Sequence, residues 1–333
     1  MRMVSKKTID IIVPVYNQIN VIESFLFSAS KIDKEKVNII LVNDGSTDGT
    51  ESKILEFISS EDKINFYLIN KSNGGVSSAR NAGLLVSTSK YIWFCDPDDV
   101  ILDNLINVLS VIENNPDADA FIFSYETYYT QNGILKQNIR SNEVLSGISF
   151  LVKHNSLSND YWHPASDGTL WDKIYKREPI LDVLFNEGMI CSEDFNFNLN
   201  VFKRIRKVIV SNELLYKYYV YANGTLSSTF NKKIFDNRLQ AERDTISFLM
   251  KHKGSVRSEI KKHILKNVRL LSQYSDGDLF SFYKKEHEFF EERIYPVSSF
   301  REFIFIILSK LNAYAIFIKL YRKTKKHLGT LRG

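Results

Sequence analysis

Residues 94–104 read FCDPDDVILDN. Three acids, Asp96, Asp98 and Asp99, fall within four positions, directly after Tyr91-Ile92-Trp93-Phe94-Cys95, an apolar run with the length of a buried strand. Close like charges repel, and burial disfavours the charged form of each carboxylate. A chain that ends a buried strand this way either lets water cover the acids or brings something positive between them. Hard oxygen ligands in a D-x-D arrangement suit Mg2+ or Mn2+, which take one or two protein carboxylates and complete their shells with phosphate and water. The plainer reading is a strand-to-helix turn through Pro97, with Asp103 as the cap of the next helix.

Upstream and downstream, the first 130 residues alternate two hydrophobic periods. Strand-length apolar runs cover 9–15, 37–42, 64–69, 91–95 and 118–123, and helix-like stretches cover 21–30, 48–59, 76–86 and 103–114. This alternation predicts an α/β fold with a doubly wound, mostly parallel sheet. In such sheets ligands bind beyond the carboxyl ends of the strands. Four successive strands deliver polar, turn-forming residues there: Pro14-Val15-Tyr16-Asn17, Asn43-Asp44-Gly45-Ser46, Asn70-Lys71-Ser72-Asn73-Gly74-Gly75, and the aspartate cluster. One such end is an ordinary turn; four at one rim predict a site. No G-x-G-x-x-G follows the first strand and no G-x-x-x-x-G-K-[ST] occurs, which excludes the usual dinucleotide and P-loop readings. Gly74-Gly75 before a helix places backbone N–H groups near an anion, and Arg80 within that helix adds a fixed positive fork. A glycine turn and a surface arginine account for the same residues.

Farther along, 131–200 is irregular. A helix-like run over 193–203 precedes a short strand over 207–210 and then an aromatic segment over 214–221; the pattern is helical from about 231 onward. Glu193-Asp194 opens the first of these helices after Ser192. Two readings stand: Ser192 caps while the acids favour the helix dipole, or one acid is a general base in a partly dry cleft. Trp171, with Trp162 and His163 near it, is either a sugar platform or a core residue.

The length of 333 residues, with 44% hydrophobic and 25% charged content, suits a globular protein of about two domains. Two cysteines, Cys95 and Cys191, fit a reducing compartment. The apolar start is interrupted by Asp10 and Pro14 and lacks a small-residue cleavage site, so no signal peptide is expected, and no stretch has the roughly 18 apolar residues of a membrane span. The net charge of +5 is concentrated: residues 303–333 carry seven Lys or Arg and no acid, and +5 less these seven leaves the first 302 residues at −2. A nucleic-acid partner is therefore not expected.

The ordered blocks resemble family-2 inverting glycosyltransferases of the GT-A fold, of the bacterial surface-polysaccharide type. IDIIVPVYNQINVIESFL resembles the opening strand and helix, and IILVNDGSTDGT the second strand with its donor-contacting acid. NGGVSSARNAGL resembles the segment reaching nucleotide and phosphate, and YIWFCDPDD the metal-binding strand. GTLWDKIYKRE and FNEGMICSEDFNFN resemble the acceptor-side and base segments. The resemblance runs from about residue 8 to 229.

It implies roles position by position. Pro14, Val15 and Tyr16 wall the donor base, Asp44 hydrogen-bonds it, and Asn73, Gly74 and Arg80 lie on the nucleotide side. Asp96 stands near ribose and the metal's waters, Asp98 coordinates Mn2+ or Mg2+, and Asp99 faces the donor sugar. Asp194 is the general base, with Glu193 the second choice, in apolar surroundings that include Ile190 and Phe195; Trp171 and His163 meet the acceptor. The donor implied is a UDP-sugar, and the acceptor a glycan or polyprenyl-linked saccharide in capsule, exopolysaccharide or O-antigen assembly. Processive members carry a Q-x-x-R-W segment and many membrane helices; neither occurs here, which implies one sugar per encounter.

The implied organisation is a catalytic domain over 1–229, with a donor half to about 130 and an acceptor half from 131, then a helical extension over 230–333. At about 100° per residue, Arg301, Asn312, Lys319, Lys323 and Lys326 share one side of the tail, as in a helix lying on an anionic membrane. That predicts a cytoplasmic enzyme, peripheral on the membrane; packing on the protein or a homodimer contact is the other reading of the tail. The competing function is a catalytically degenerate nucleotide-sugar or carbohydrate-binding scaffold at the membrane surface. A nucleotidyltransferase would show a glycine- and basic-rich loop after the first strand, which PVYNQIN is not.

Overall fold

The computed structural model describes residues 7–60, 65–154, 168–221 and 232–253. The chain divides into two compact units, Met1–Val256 and Arg257–Gly333. All described residues lie in the first. The basic tail and His163 lie outside the described residues.

Strands β1 (Ile9–Val15), β2 (Val37–Asn43), β3 (Phe66–Asn70) and β4 (Tyr91–Phe94) are mutually parallel, in the order β3-β2-β1-β4. Every residue of β1, β2 and β4 is buried. That is why these strands appear in the sequence as unbroken apolar runs rather than as alternating ones. Helices α1 (Ile22–Ser30), α2 (Thr50–Ser60) and α3 (Val76–Val86) follow β1, β2 and β3. Chain order reverses between β1 and β4, the place where an open parallel sheet leaves a crevice at its carboxyl edge.

Beyond β4 the sheet continues through β9 (Lys173–Lys176), β6 (Ala120–Tyr129) and β10 (Val208–Val220) to β5 (Val100–Ile101). β9 is antiparallel to both β4 and β6, so β6 and its parallel neighbour β10 run in the direction of β4. Their aromatic carboxyl ends therefore reach the same rim as the aspartate cluster. β7 (Ile134–Asn138) and β8 (Glu143–Leu145) add to β6 and β10. Helices α4 (Leu105–Glu113), α5 (Gly147–Lys153), α6 (Glu193–Phe202) and α7 (Lys232–His252) complete the unit.

Three expectations are corrected. The strand expected to end at 123 runs to Tyr129, because its polar Glu126 and Thr127 are held by Gln137 and Asn138 of β7. The strand at 207–210 and the aromatic segment are one element, β10, broken only by register shifts between Val210 and Tyr216. Asp103 does not cap α4: it is exposed, and Asn104 is the N-cap. The Asn104 amide donates across to Glu213 and Leu214 at 2.9 and 3.0 Å, joining α4 to β10.

Trp171 is a core residue and not an exposed platform. It is 5% exposed, lies nearly parallel to Tyr216 and Tyr218 at 5.2 and 5.3 Å, and meets Tyr125 edge-on at 4.7 Å. Its carbonyl accepts from Trp93 Nε1 at 2.7 Å. Trp171→Ala is expected to lower unfolding free energy by about 3–5 kcal/mol, with Trp171→Phe losing far less. Urea unfolding reads this directly; unchanged stability would return the ring to a surface role.

Candidate active site

The candidate acids stand at strand ends or a helix start, and Arg80 lies in the second turn of α3. Asp44 follows β2 and is 2% exposed. Its carboxylate accepts from Gly74 N–H at 3.0 and 3.2 Å, from Gly75 N–H at 2.7 Å and from Lys71 Nζ at 2.6 Å. Gly75 has φ +87°, a conformation side chains disfavour, and this turn aims successive N–H groups at the acid. Asp44 thus shapes the loop before α3 as well as the rim. Pro14 and Val15 are buried beside it, while Tyr16, the next residue, is 46% exposed.

Three tyrosines of β10 or its end hold the D-P-D-D turn. Tyr216 OH accepts from Asp96 N–H at 2.9 Å, Tyr219 N–H donates to Asp99 Oδ1 at 2.8 Å, and Tyr221 OH donates to the Asp98 carbonyl at 3.1 Å. Asp99, expected to face a donor sugar, is 1% exposed and directed at the β10 backbone; it braces the turn from beneath. Burial, and then the charges of Asp98 and Asp96, push its pKa well up. Asp98 is partly exposed, and burial together with Asp96 raises its pKa to about 6. The sequence marked the aromatic run but gave no reason to assign its hydroxyls and amides to this turn.

Arg80 joins the two acidic segments. Its guanidinium is nearly buried and pairs with Asp96 Oδ1 at 3.1 Å and Glu193 Oε1 at 3.0 Å, over the Phe185 ring at 5.4 Å. Residues 80, 96 and 193 thus share one ion network around a buried guanidinium, with Asp96 partly open to solvent, which makes Arg80 a link between acids rather than solely a nucleotide contact. Arg80→Leu leaves carboxylates without their cation in a low-dielectric setting. The expected loss is about 3–5 kcal/mol of stability, read by urea unfolding; a loss below about 1 kcal/mol would mean that water already screens the pairs.

α6 carries Asp194 in its first turn and is braced on β4. Phe197 meets Phe94 edge-on at 5.5 Å and stacks on Phe185 at 4.0 Å. Asn198 donates to the carbonyls of Gly168 and Thr169 at 3.1 and 3.0 Å and accepts from Tyr175 OH. Ser192 does not cap through its hydroxyl. It adopts φ +61°, an uncommon conformation for a non-glycine residue, and thereby turns the chain into Glu193 and Asp194. Asp194 Oδ1 accepts from Phe195 N–H at 2.7 Å. Burial and the adjacent Glu193 raise the Asp194 pKa to about 7, against the lowering pull of Arg80. Ile190, expected as an apolar wall, is 46% exposed; Tyr175 and Tyr218 are within electrostatic reach of Asp194 instead.

The rim suits a small divalent cation at one point. Asp98 and Asp96 are close enough to raise the cost of charging Asp98, and a cation there would relieve that cost. No three His, Cys, Asp or Glu side chains form a metal cage among the described residues. Asp98 and Asp96 could supply the one or two carboxylates of a site that phosphate and water would complete.

A sequence model of the family described as Glycosyl transferase family 2 matches residues 10–183. Glycosyltransferase GlyA of Streptococcus pneumoniae is 28% identical over 243 residues, 72% of this chain and 34% of that protein. EpsJ of Bacillus subtilis, an uncharacterized glycosyltransferase, is 28% identical over 240 residues, covering 70% of this chain and 67% of that protein. The chain therefore spans about a third of the first relative and two thirds of the second. Among solved structures, residues 1–349 of S. aureus TarS in complex with UDP share the fold at a TM-score of 0.60 and 17% identity, over 85% of this chain and 80% of that one. The same protein in complex with UDP-GlcNAc gives 0.58 and 18%, over 83% and 75%. No helix among the described residues is long and apolar enough to cross a membrane.

Proposed function

The chain belongs to glycosyl transferase family 2, and from that premise we propose that it moves one sugar from a UDP-hexose to a hydroxyl of a surface-glycan precursor, with inversion. The observation that carries the reading is the Arg80 network, which draws the D-x-D acids and the Glu193-Asp194 helix start into one neighbourhood. A donor bound over Asp44 and Asp98 would lie within reach of a base at Asp194. The UDP and UDP-GlcNAc complexes of the fold relative support a uridine nucleotide, and the likeness to GgaB, a minor teichoic acid biosynthesis protein of Bacillus subtilis, supports a cell-surface polymer as the product.

Asp98, with Asp96 behind it, would hold Mn2+ or Mg2+, which when bound supplies charge neutralisation for the departing diphosphate. The chain's own residues do the rest. Tyr216, Tyr219 and Tyr221 fix the turn that presents Asp98. Asp194 takes the proton of the acceptor hydroxyl as that oxygen attacks the anomeric carbon from the face opposite the nucleotide. The bond to the diphosphate breaks in the same displacement, so an α-linked donor gives a β-linked product. An acceptor on a polyprenyl carrier and attachment to the membrane through the tail belong to the same proposal.

The test needs no knowledge of the acceptor. The protein is incubated with a panel of UDP-hexoses and Mn2+, and proton NMR follows the first sugar released to water or to a simple glycoside. A β-anomer appearing before mutarotation supports the mechanism, and an α-anomer contradicts inversion. If no nucleotide sugar in the panel is turned over, the binding-scaffold reading takes its place.

A further inference from the structure

The carboxylate of Asp44 receives three donors, one of them shared between its two oxygens. A carboxylate offers about four lone-pair directions. Oδ1 receives Lys71 Nζ at 2.6 Å and Gly74 N–H at 3.0 Å; Oδ2 receives Gly75 N–H at 2.7 Å and Gly74 N–H again at 3.2 Å. An imide N–H donated to Asp44 competes with these donors for the carboxylate. Two donors are backbone groups locked by the Gly74-Gly75 turn and the start of α3. The third sits on a flexible side chain, so it is Lys71 that yields.

Lys71 is held at this place on purpose-built ground. Its backbone N–H donates to the Asn43 carbonyl at 3.0 Å, which extends the β2–β3 pairing to the rim. Its ammonium also donates to the Ser72 carbonyl at 2.7 Å, and its side chain is 22% exposed. A Cβ on Gly74 would stand 2.9 Å from Nζ, so the glycine leaves the space in which the ammonium lies. An ammonium displaced from Asp44 Oδ1 by a short swing remains beside that oxygen. In an imide base, the N–H and its flanking carbonyl oxygen form a donor next to an acceptor. Asp44 and Lys71 offer the complement, an acceptor next to a donor.

We propose that Lys71 is a second base-reading residue, which gives up its hydrogen bond to Asp44 when an imide base binds and donates instead to the carbonyl oxygen beside the imide. This deepens the donor reading above and rests on it. The pair selects uracil over cytosine, whose ring nitrogen at the same position carries a lone pair and no proton.

Calorimetric titration of UDP and CDP, both with Mn2+, into the unaltered protein and into Lys71→Met tests this. The expected result is a UDP affinity about tenfold weaker in the variant, the size of a lost charged hydrogen bond, with CDP affinity within about twofold. The UDP-to-CDP preference then shrinks by about the same tenfold factor, with the share due to Asp44 left in place; a merely loosened loop would not cause this, since it weakens both nucleotides alike. Lys71→Gln, which keeps a donor, retains part of the preference. Equal weakening of both nucleotides, or UDP binding unchanged or tighter in Lys71→Met, overturns the role of Lys71 while the donor site stands, provided Asp44→Asn still weakens UDP. Failure of the unaltered protein to bind either nucleotide overturns the donor reading and this inference together.

Discussion

Asp194→Asn is expected to lower the transfer rate about a thousandfold while leaving the KM for the donor within about threefold. An amide of the same shape cannot accept the hydroxyl proton, and a positioned general base contributes roughly 10²–10⁴ in rate. The donor contacts sit on other elements, so ground-state binding survives. The pH profile adds a second readout. Burial and Glu193 place the Asp194 pKa at about 7, and only the deprotonated form accepts a proton. The rate therefore rises about tenfold per pH unit below 7 and levels above it, and this limb disappears in Asp194→Asn. Glu193→Gln is the control: it removes a neighbouring charge and moves the limb to lower pH, since a like charge no longer opposes ionisation. If Glu193→Gln were the dead variant and Asp194→Asn the active one, the two roles would be exchanged.

Asp98→Ala is expected to abolish the dependence of turnover on added Mn2+ and to reduce turnover by at least a hundredfold. The acid is partly exposed at the tip of a turn tied to β10 through the neighbouring backbone. Truncation therefore removes a ligand without unmaking the turn, and thermal stability should hold or rise as repulsion with Asp96 is relieved. Asp99→Ala should behave oppositely. It removes the buried acceptor for the Tyr219 amide, so stability falls by about 1–3 kcal/mol. Equal loss of stability in both variants would mean that the two aspartates share one structural role.

The donor half was largely legible in the sequence, and for a physical reason. β1, β2 and β4 are buried on both faces, so they stand out as apolar runs, and the proposed donor-site residues come just after them because a parallel sheet puts ligands at that edge. α3 was read to the residue, bounded by Gly75 and Ser87. What escaped depends on partners distant in sequence. Tyr216, Tyr219 and Tyr221 lie about 120 residues along the chain from the turn they hold, and no local pattern announces that. Trp171 has the residue type of a sugar platform, and only the tyrosines stacked against it reveal a core ring. Arg80 was read toward the nucleotide because its motif lies there, whereas its fork spans two acids that lie 97 residues apart. Asn104, not Asp103, is the N-cap of α4, and its amide is tied to Glu213 of β10, a partner the local sequence does not show.

The central claim is that this rim binds a uridine diphosphate through Asp44 and Asp98. Calorimetric titration of UDP into the protein, with and without Mn2+, tests it most directly. The account predicts saturable one-to-one binding that strengthens at least tenfold with Mn2+. It predicts that this gain vanishes in Asp98→Ala and that Asp44→Asn weakens binding in both conditions. Absence of heat with Mn2+ present, or binding indifferent to both substitutions, would contradict it.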